Sequence, residues 1–563
     1  MSAPAASAEA QPVAAISAMI PPGAYAADGR LVLIISPRAD PEPRFQVQLE
    51  AMLATPFIFG RTVDTMRPGV PVSIGGDGNG WPVAQLSSVP PGDYTVQVVL
   101  NRYERFHRAS GPVVKLPPDQ GEGQHWDRKP GNLYSTPQQI HVGPGMAAVT
   151  LALDHVVPPI APVTDTPFVK HIRIQSALLT RWWGRPMFLG AYVLLPAGYD
   201  SHPAARFPLM VNHGHFPDGG IDAWRETPPD PDLKPDYSDR FHLAGYNRIQ
   251  QAEAYANFQK WTAKDFPRFL VVEIEHSNPY YDDSYAVNSA NLGPYGDAIN
   301  QELIPYVESH FRGIGKGWAR FAYGGSTGGW EAMATQVFYP EMYNGAFIAC
   351  PDPIDFHAYT TINLYADKNA FVLPGVATDV EQPATRDYLG RTLATQRDQS
   401  HMEAVLGDHG RSGQQYDIWN AVFGPQAADG YPTPVFDKAS GVIDPAVVAY
   451  WREHFDLTHI VARDWATLGP KLAGKLHLYV GSADTYFLTD SVYFAQDTLE
   501  KLKDPAWGGT VDYGDRAEHC WNGDHTLSNA YSRLHYTTMY VPQIMARIAA
   551  TAPKGADLTS WRY

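Results

Sequence analysis

The sequence predicts an α/β protein in which an all-β sandwich domain precedes a domain built on a mostly parallel sheet. Residues 21–160 consist of short β-branched segments bounded by Gly, Pro and Asp turns. From residue 161 onward, apolar strands alternate with amphipathic helices, which is the pattern of a parallel sheet. Residues 353–470 interrupt this alternation, so we expect a large insertion that forms a lid or cap.

Composition limits the class of protein. The chain has 563 residues, of which 44% are hydrophobic and 18% are charged, and this excludes a largely disordered chain. Its 43 Lys and Arg against 59 Asp and Glu give a formal net charge of −16. Nucleic acid and anionic membranes are bound through dense cationic patches, so neither is expected as a partner. The sequence does not reveal the oligomeric state.

Residues 1–20 predict a flexible tail. This stretch is rich in Ala, Ser and Pro, has no Lys or Arg, and lacks the apolar core of an intact signal peptide. Interpreted as what remains after a signal was removed, and taken with the low charge, it predicts a secreted or periplasmic protein.

The first domain, residues 21–160, is predicted to be an immunoglobulin-like β-sandwich. Three segments have the composition of its strands: Arg30–Ile35, Val70–Ile74 and Tyr94–Leu100. Its aromatic side chains are expected in the core, with a ligand surface as the alternative: Tyr94, Tyr103, Phe106, Trp126 and Tyr134. Three prolines within Val156–Val163 predict a stiff linker to the second domain.

The second domain, residues 161–563, is predicted to contain strands at Leu189–Leu195, Pro208–Asn212, Phe269–Ile274, Phe321–Gly324, Gly345–Cys350, Lys475–Val480 and Gly509–Tyr513. A helix is predicted over Tyr295–Phe311, because apolar residues follow one stripe of it. Within the insertion, we expect a helical segment around Tyr388–Leu406 and an irregular Pro/Gly-rich stretch over Phe423–Pro434.

The strongest motif is G-x-S-x-G, at Gly324–Gly328 with Ser326 in its centre. It follows an apolar strand and precedes a helix, which is the context that a nucleophilic serine on a sharp turn requires. The backbone N–H of Thr327 then faces the charge that develops on the substrate oxygen. A phosphate-binding turn is the competing interpretation.

A second oxyanion donor is predicted at the backbone N–H of His215, because an apolar strand ends in His213-Gly214 about 110 residues before Ser326. The alternatives are a structural role and a metal-binding pair of His213 and His215. Phe216-Pro-Asp218 departs from the H-x-H-x-D-H pattern of metallo-hydrolases, so no metal is expected.

The acid and base of a triad are predicted after two later strands. Asp484 follows a strand and a tight turn, where a turn-capping role is the alternative. His519 lies six residues beyond the last strand and is the preferred base, with His525 as the alternative. The resulting order Ser, Asp, His is that of the α/β-hydrolases.

Residues 165–550 resemble the α/β-hydrolase fold and its putative-esterase group, which includes esterase D, feruloyl esterases and enterochelin esterase. The resemblance is carried by Tyr192–Asp200, His213–His215, Glu302–Tyr306, Gly324–Gly328, Asp484 and His519–Trp521. An N-terminal immunoglobulin-like domain is similar to the architecture of enterochelin esterase. Two features depart from the group. The insertion is unlike the compact esterases, and Gly325 precedes the serine where tannase-type feruloyl esterases have a cysteine.

These residues predict a serine ester hydrolase that forms an acyl-enzyme and needs no cofactor. A peptidase or an acyltransferase could use the same triad, and an inactive hydrolase fold that serves as a binding module is the alternative from another class. Insertion aromatics would suit a small-molecule or carbohydrate-linked ester, or would form the lid core: Tyr359, Tyr365, Phe371, Tyr416 and Trp419.

The two cysteines, Cys350 and Cys520, are predicted to form a disulfide, with separate buried thiols as the alternative. Cys350 ends a strand next to the nucleophile strand, and Cys520 follows the proposed base. The base must fold back over that sheet edge to reach Ser326, which brings the two cysteines together.

Overall fold

The computed structural model describes residues 15–48, 51–109, 111–123, 125–214, 220–280 and 283–563. These residues form an N-terminal all-β unit, an α/β unit on an eight-stranded sheet, and an insertion that contacts both. Among the helices in these ranges, none is long and apolar enough to cross a membrane.

In the N-terminal unit two sheets share one apolar core, and a third, two-stranded sheet pairs Glu104–His107 with Val113–Leu116. The larger sheet contains, in spatial order, His155–Val156, Leu133–Tyr134, Gly92–Arg102, Ala27–Ser36, Phe57–Met66 and Gly80–Trp81, with Gln138–Val142 also pairing with Gly92–Arg102. The smaller sheet contains Val149–Ala152, Ile16–Met19 and Val72–Ile74. The prediction of a tail was therefore wrong for Ile16–Met19, because pairing on both sides makes it a central strand. The immunoglobulin type of this sandwich stays a prediction.

The strand Ala27–Ser36 is buried on both faces. Successive side chains of a strand point to opposite sides, and its odd-numbered apolar residues 31, 33 and 35 lie in the sandwich core. Its even-numbered residues 32 and 34 pack instead against the insertion helix Gln396–Leu406. At the edge of this contact, Arg30 Nε donates to the carbonyl of Val405 at 2.9 Å. The sandwich and the insertion therefore share a second apolar core.

The eight-stranded sheet has the order Val169–Ser176, Met187–Leu194, Leu270–Glu275, Leu209–His213, Arg320–Gly325, Ala346–Ala349, Leu476–Gly481 and Thr510–Gly514. The first two strands pair antiparallel with their neighbours, and all later pairs are parallel. Seven of these strands were predicted to within two residues at each end. The first was missed because an edge strand with Lys, Arg and Gln lacks an apolar run.

Helices alternate with the strands of the sheet along the chain. Those of the α/β unit with seven or more residues are Ala177–Trp183, Tyr246–Thr262, Ile304–His310, Thr327–Phe338, Leu488–Leu499 and Val541–Thr551. The helix predicted over Tyr295–Phe311 is present, with a π turn at Ile299–Leu303 between two α-helical parts, Tyr295–Ala298 and Ile304–His310.

The insertion combines five α-helices with two short hairpins and irregular segments. It contains Gln396–Leu406, Gln415–Phe423, Pro445–His454, Leu457–Arg463 and Trp465–Leu472. The predicted helical segment Tyr388–Leu406 is helical only from Gln396. Before that residue the prediction was wrong, because strands Pro383–Arg386 and Thr392–Thr395 form a hairpin. Thr395 then caps the helix by a reciprocal pair of hydrogen bonds with Asp398.

Candidate active site

Ser326 occupies the turn between the strand Arg320–Gly325 and the helix Thr327–Phe338, with φ 59° and ψ −123°. A non-glycine residue with positive φ is uncommon and strained. The flanking glycines are required sterically. A Cβ on Gly324 would lie 2.4 Å from the carbonyl oxygen of Gly328, and a Cβ on Gly328 would lie 1.7 Å from that of His213.

The structure brings Ser326, His519 and Asp484 together. The imidazole Nε2 of His519 lies 2.9 Å from Ser326 Oγ, and its Nδ1 lies 2.8 Å from Asp484 Oδ2. Asp484 is fully buried and His519 is 4% exposed. When Nδ1–H donates to the carboxylate, Nε2 is left to accept the hydroxyl proton of Ser326.

The chain around Asp484 fixes its carboxylate. Its Oδ1 accepts from the backbone N–H groups of Tyr486, at 2.9 Å, and Leu488, at 3.3 Å. Arg386, on the insertion hairpin, donates from Nε to the Asp484 carbonyl at 2.9 Å. The insertion thus contacts the turn that carries this carboxylate.

The two cysteines lie beside His519. One ring nitrogen of His519 and the Sγ atoms of Cys350 and Cys520 lie within 4.8 Å of one another. Both cysteines are free thiols, so the predicted disulfide is not formed although the predicted proximity is present. Both residues have positive φ, 36° and 69°, and their side chains interact as a hydrogen-bonded pair of thiols.

The side chains of Cys350, His519 and Cys520 shift one another's pKa. A hydrogen bond from Cys350 lowers the pKa of the Cys520 thiol well below its usual range, against the effect of burial and together with the adjacent His519. Burial raises the pKa of Cys350. Burial alone lowers the pKa of His519, but Cys520 and Asp484 more than offset it and raise that pKa to about 10.

His525, the alternative base, lies elsewhere on the same loop. Its Nε2 is 2.9 Å and 3.1 Å from the two carboxylate oxygens of Asp512, and 59% of its side chain is exposed. The structure brings His519 to Ser326 and pairs His525 with a surface carboxylate.

Of the two predicted oxyanion donors, the structure describes only Thr327. Thr327 is buried and begins the helix after Ser326. His215 lies outside the described residues. His213, at the end of the preceding strand, is fully buried, and burial lowers its pKa well below the usual range.

Among the described residues, two groups of three side chains could each hold a metal ion. One group is His213, His276 and Glu331, and the other is Cys350, His519 and Cys520. In the first group, Nδ1 of His276 lies 3.2 Å and Nδ1 of His213 lies 3.8 Å from the Glu331 carboxylate. This buried His–Glu contact lies at the end of the strand Leu209–His213.

A cleft of about 1210 Å³ opens above Ser326 and His519. Three parts of the chain line it. The insertion contributes Gln415, Tyr416 and Trp419, the sandwich contributes Phe45, His125, Trp126 and Arg128, and the segment after the His213 strand contributes Asp222, Arg225 and Arg240. Of the aromatics singled out in the sequence, Tyr359 and Phe371 are instead fully buried.

Sequence reasoning missed Asp352. Its Oδ1 lies 3.4 Å from Ser326 Oγ, and its Oδ2 accepts from Tyr285 Oη at 2.6 Å and Thr327 Oγ1 at 2.9 Å. The signal was available, because this aspartate follows the strand Ala346–Ala349 by a short turn, as Asp484 follows its own strand.

Residues 269–383, which include Ser326 and Asp352, match the family model described as Putative esterase. No curated protein matches the chain. Similar solved structures include a ferulic acid esterase (13% identity, 67% of this chain and 97% of that chain, TM-score 0.33). Others are an S-formylglutathione hydrolase from Agrobacterium tumefaciens (13%, 68% and 97%, 0.33) and the fluorophosphonate-binding serine hydrolase FphF of Staphylococcus aureus (16%, 68% and 98%, 0.32).

The family match begins at the strand Leu270–Glu275 and ends at Pro383, within the insertion. It confirms the resemblance to the putative-esterase group that the sequence predicted, and supports the prediction that the chain is a serine carboxylic ester hydrolase.

Proposed function

We propose that this protein hydrolyses carboxylic esters through Ser326, His519 and Asp484, by way of an acyl-enzyme. The observation that carries the proposal is the pair of hydrogen bonds made by His519, 2.9 Å to the serine hydroxyl and 2.8 Å to the carboxylate. In such an arrangement the carboxylate fixes the tautomer of the imidazole and stabilises the imidazolium that forms during the reaction.

In the proposed reaction, Ser326 Oγ attacks the ester carbonyl carbon while its proton passes to His519 Nε2. The tetrahedral intermediate then expels the alcohol, which takes the proton from Nε2 as it leaves. Water then attacks the acyl-enzyme while His519 Nε2 takes its proton. The acid is released when this proton returns to Ser326 Oγ. The backbone N–H groups of Thr327 and His215 are the proposed oxyanion donors, and loss of one such donor typically costs about 10²–10³ in kcat.

The proposed substrate is a small-molecule or carbohydrate-linked ester with room for a large group beside the reacting carbonyl. The size of the cleft and its aromatic side chains, Trp126 and Trp419, support this class, since flat apolar rings pack against sugar and aryl faces. The catalytic unit in this proposal is residues 161–563, with the sandwich of residues 21–160 as a cleft wall. No cofactor takes part in the proposed steps.

Labelling with a fluorophosphonate probe tests the proposal. We expect one covalent adduct, at Ser326, and no adduct in Ser326→Ala. An unlabelled but folded parent protein would favour the inactive binding module. Added alcohol or amine acceptors test for acyltransferase activity, because they compete with water for the acyl-enzyme. Amides that match the ester substrates test for peptidase activity.

A further inference from the structure

A buried group of two histidines and one glutamate connects two strands of the eight-stranded sheet with the helix that follows Ser326. His213 ends one strand, His276 follows its parallel neighbour, and Glu331 lies on that helix. Each side chain offers one ligand atom, and the three atoms lie within 4.8 Å of one another. We propose that this group binds a structural zinc ion that fastens the helix to both strands. The set shares only His213 with the His213–His215 pair considered from the sequence, and it does not depend on the proposed function.

The chemistry of these ligands favours zinc over the hard cations. Two imidazole nitrogens with one glutamate oxygen are an established set of zinc ligands. Calcium and magnesium prefer oxygen ligands alone. The side chains of His213 and Glu331 are 0% exposed and that of His276 is 2% exposed. An ion between them would therefore be enclosed by protein, as a structural ion is.

The separations between the ligand atoms fit an ion that lies among them. Nδ1 of His276 is 3.2 Å from Glu331 Oε1, and Nδ1 of His213 is 3.8 Å from Glu331 Oε2. The second separation is too long for a hydrogen bond. With metal–ligand bonds of about 2.1 Å, the two separations correspond to angles of about 100° and about 130° at the ion. These angles lie on either side of the tetrahedral value that zinc prefers.

His213 is oriented to bind an ion through Nδ1. Its other ring nitrogen, Nε2, lies 3.4 Å from Oγ1 of Thr335, which is on the same helix as Glu331. Histidines that bind metals usually donate their second ring N–H to such a partner, which fixes the tautomer and the ring. Nδ1 of His213 is buried and makes no hydrogen bond to any residue that the structure describes. A buried polar atom in this state is unfavourable, and a bound ion would satisfy it.

Two further oxygens near His276 can complete the coordination. Ser284 Oγ is 3.1 Å and Asp283 Oδ1 is 3.7 Å from Nδ1 of His276. Both residues are buried. Structural zinc is almost always bound by four ligands, and carboxylate oxygens are common among them. We therefore expect the fourth ligand to come from Asp283.

The zinc content of untagged protein tests the inference. The parent, Glu331→Gln and Cys520→Ser are titrated with Zn²⁺, and bound zinc is measured by plasma mass spectrometry after gel filtration. We expect about one ion per chain in the parent. Glu331→Gln should bind zinc at least about 100-fold more weakly, since even the partners of metal ligands contribute 10–100-fold. Cys520→Ser should bind like the parent, because it changes the other possible group, Cys350, His519 and Cys520.

A parent that binds no zinc when Zn²⁺ is in excess would overturn the inference. So would a Glu331→Gln variant with parental affinity, or a Cys520→Ser variant that has lost the ion. X-ray absorption at the zinc edge needs only the parent and therefore decides the question if Glu331→Gln does not fold. We expect nitrogen and oxygen ligands alone, at about 2.0–2.2 Å, whereas a sulfur ligand at about 2.3 Å would assign the ion to the cysteines.

The structural role of the ion has a separate measurement. An ion that binds the folded chain stabilises it, so removal of zinc by a chelator should lower the thermal midpoint of unfolding of the parent. Added Zn²⁺ should restore the midpoint. The same treatment should leave the midpoint of Glu331→Gln unchanged. A parent whose midpoint is the same with and without zinc would contradict the proposed role.

Discussion

Two histidines six residues apart on one loop each pair with an aspartate, and the two pairs differ in burial and in their neighbours. His519 is 2.8 Å from Asp484, and His525 is 2.9 Å from Asp512. The side chains of the first pair are 5% and 0% exposed, and those of the second are 59% and 38% exposed. The first histidine also reaches Ser326. A carboxylate partner alone therefore does not single out the proposed base: burial and the contact with Ser326 distinguish His519 from His525.

The largest expected difference between the pairs concerns activity. We expect His519→Ala to reduce kcat about 10³-fold or more, because members of a triad act as a unit. His525→Ala should stay within about threefold of the parent, since His525 is exposed and lies away from Ser326. Steady-state kinetics with one activated ester measures both. The reverse order would assign the base to His525.

The carboxylates give the second comparison. Asp484→Asn should reduce kcat by roughly 10³–10⁴, because an amide favours the wrong histidine tautomer. Asp512→Asn should leave kcat unchanged. Far-ultraviolet circular dichroism controls for folding, since Asp484 also accepts from two backbone N–H groups. Equal losses in the two variants would contradict the distinction between the pairs.

The third comparison concerns pH. The proposed reaction requires His519 in its neutral form. Activity should therefore rise as the pH rises toward the His519 pKa of about 10. Cys520 raises this pKa, and Cys520→Ser should therefore move the activity limb to lower pH. His525→Ala should not move it. The profile of kcat/KM against pH measures the midpoint, and an identical midpoint in parent and Cys520→Ser would show that the thiol does not influence the base.

The smallest expected effect is on stability. His525→Ala should change the free energy of unfolding by less than about 1 kcal/mol, and added salt should reduce the change further. Denaturant titration at low and high ionic strength measures it. A larger change that does not depend on salt would mean that the exposed pair has a structural role.

The sequence predicted the triad because each member follows a strand of one parallel sheet. Strand ends of such a sheet meet at one edge, so Ser326, Asp484 and His519 could be brought together without knowledge of any contact. The preference for His519 over His525 came from its distance to the last strand, and the structure brings His519 to Ser326.

Other parts of the site had no local pattern to reveal them. Trp419 reaches Asp352 across 67 positions, and Tyr285 does so from the opposite direction in the chain. The sandwich wall at Trp126 depends on how two units pack. The missed strands Val169–Ser176 and Ile16–Met19 are short or polar, and their state is decided by pairing with distant strands rather than by their own composition.

The doubly buried strand Ala27–Ser36 has a consequence for shortening the chain. Residues 161–563 alone would keep all three triad residues, yet deleting the sandwich would uncover the side of the helix Gln396–Leu406 that packs against this strand. Met402 and Leu406, which line the cleft, lie on that helix and contribute to the uncovered core. Water would then reach an apolar surface with nothing to cover it, and aggregation would compete with folding. For expression or directed evolution, we therefore expect that the sandwich must be kept, and that substitutions on that helix affect folding as well as activity.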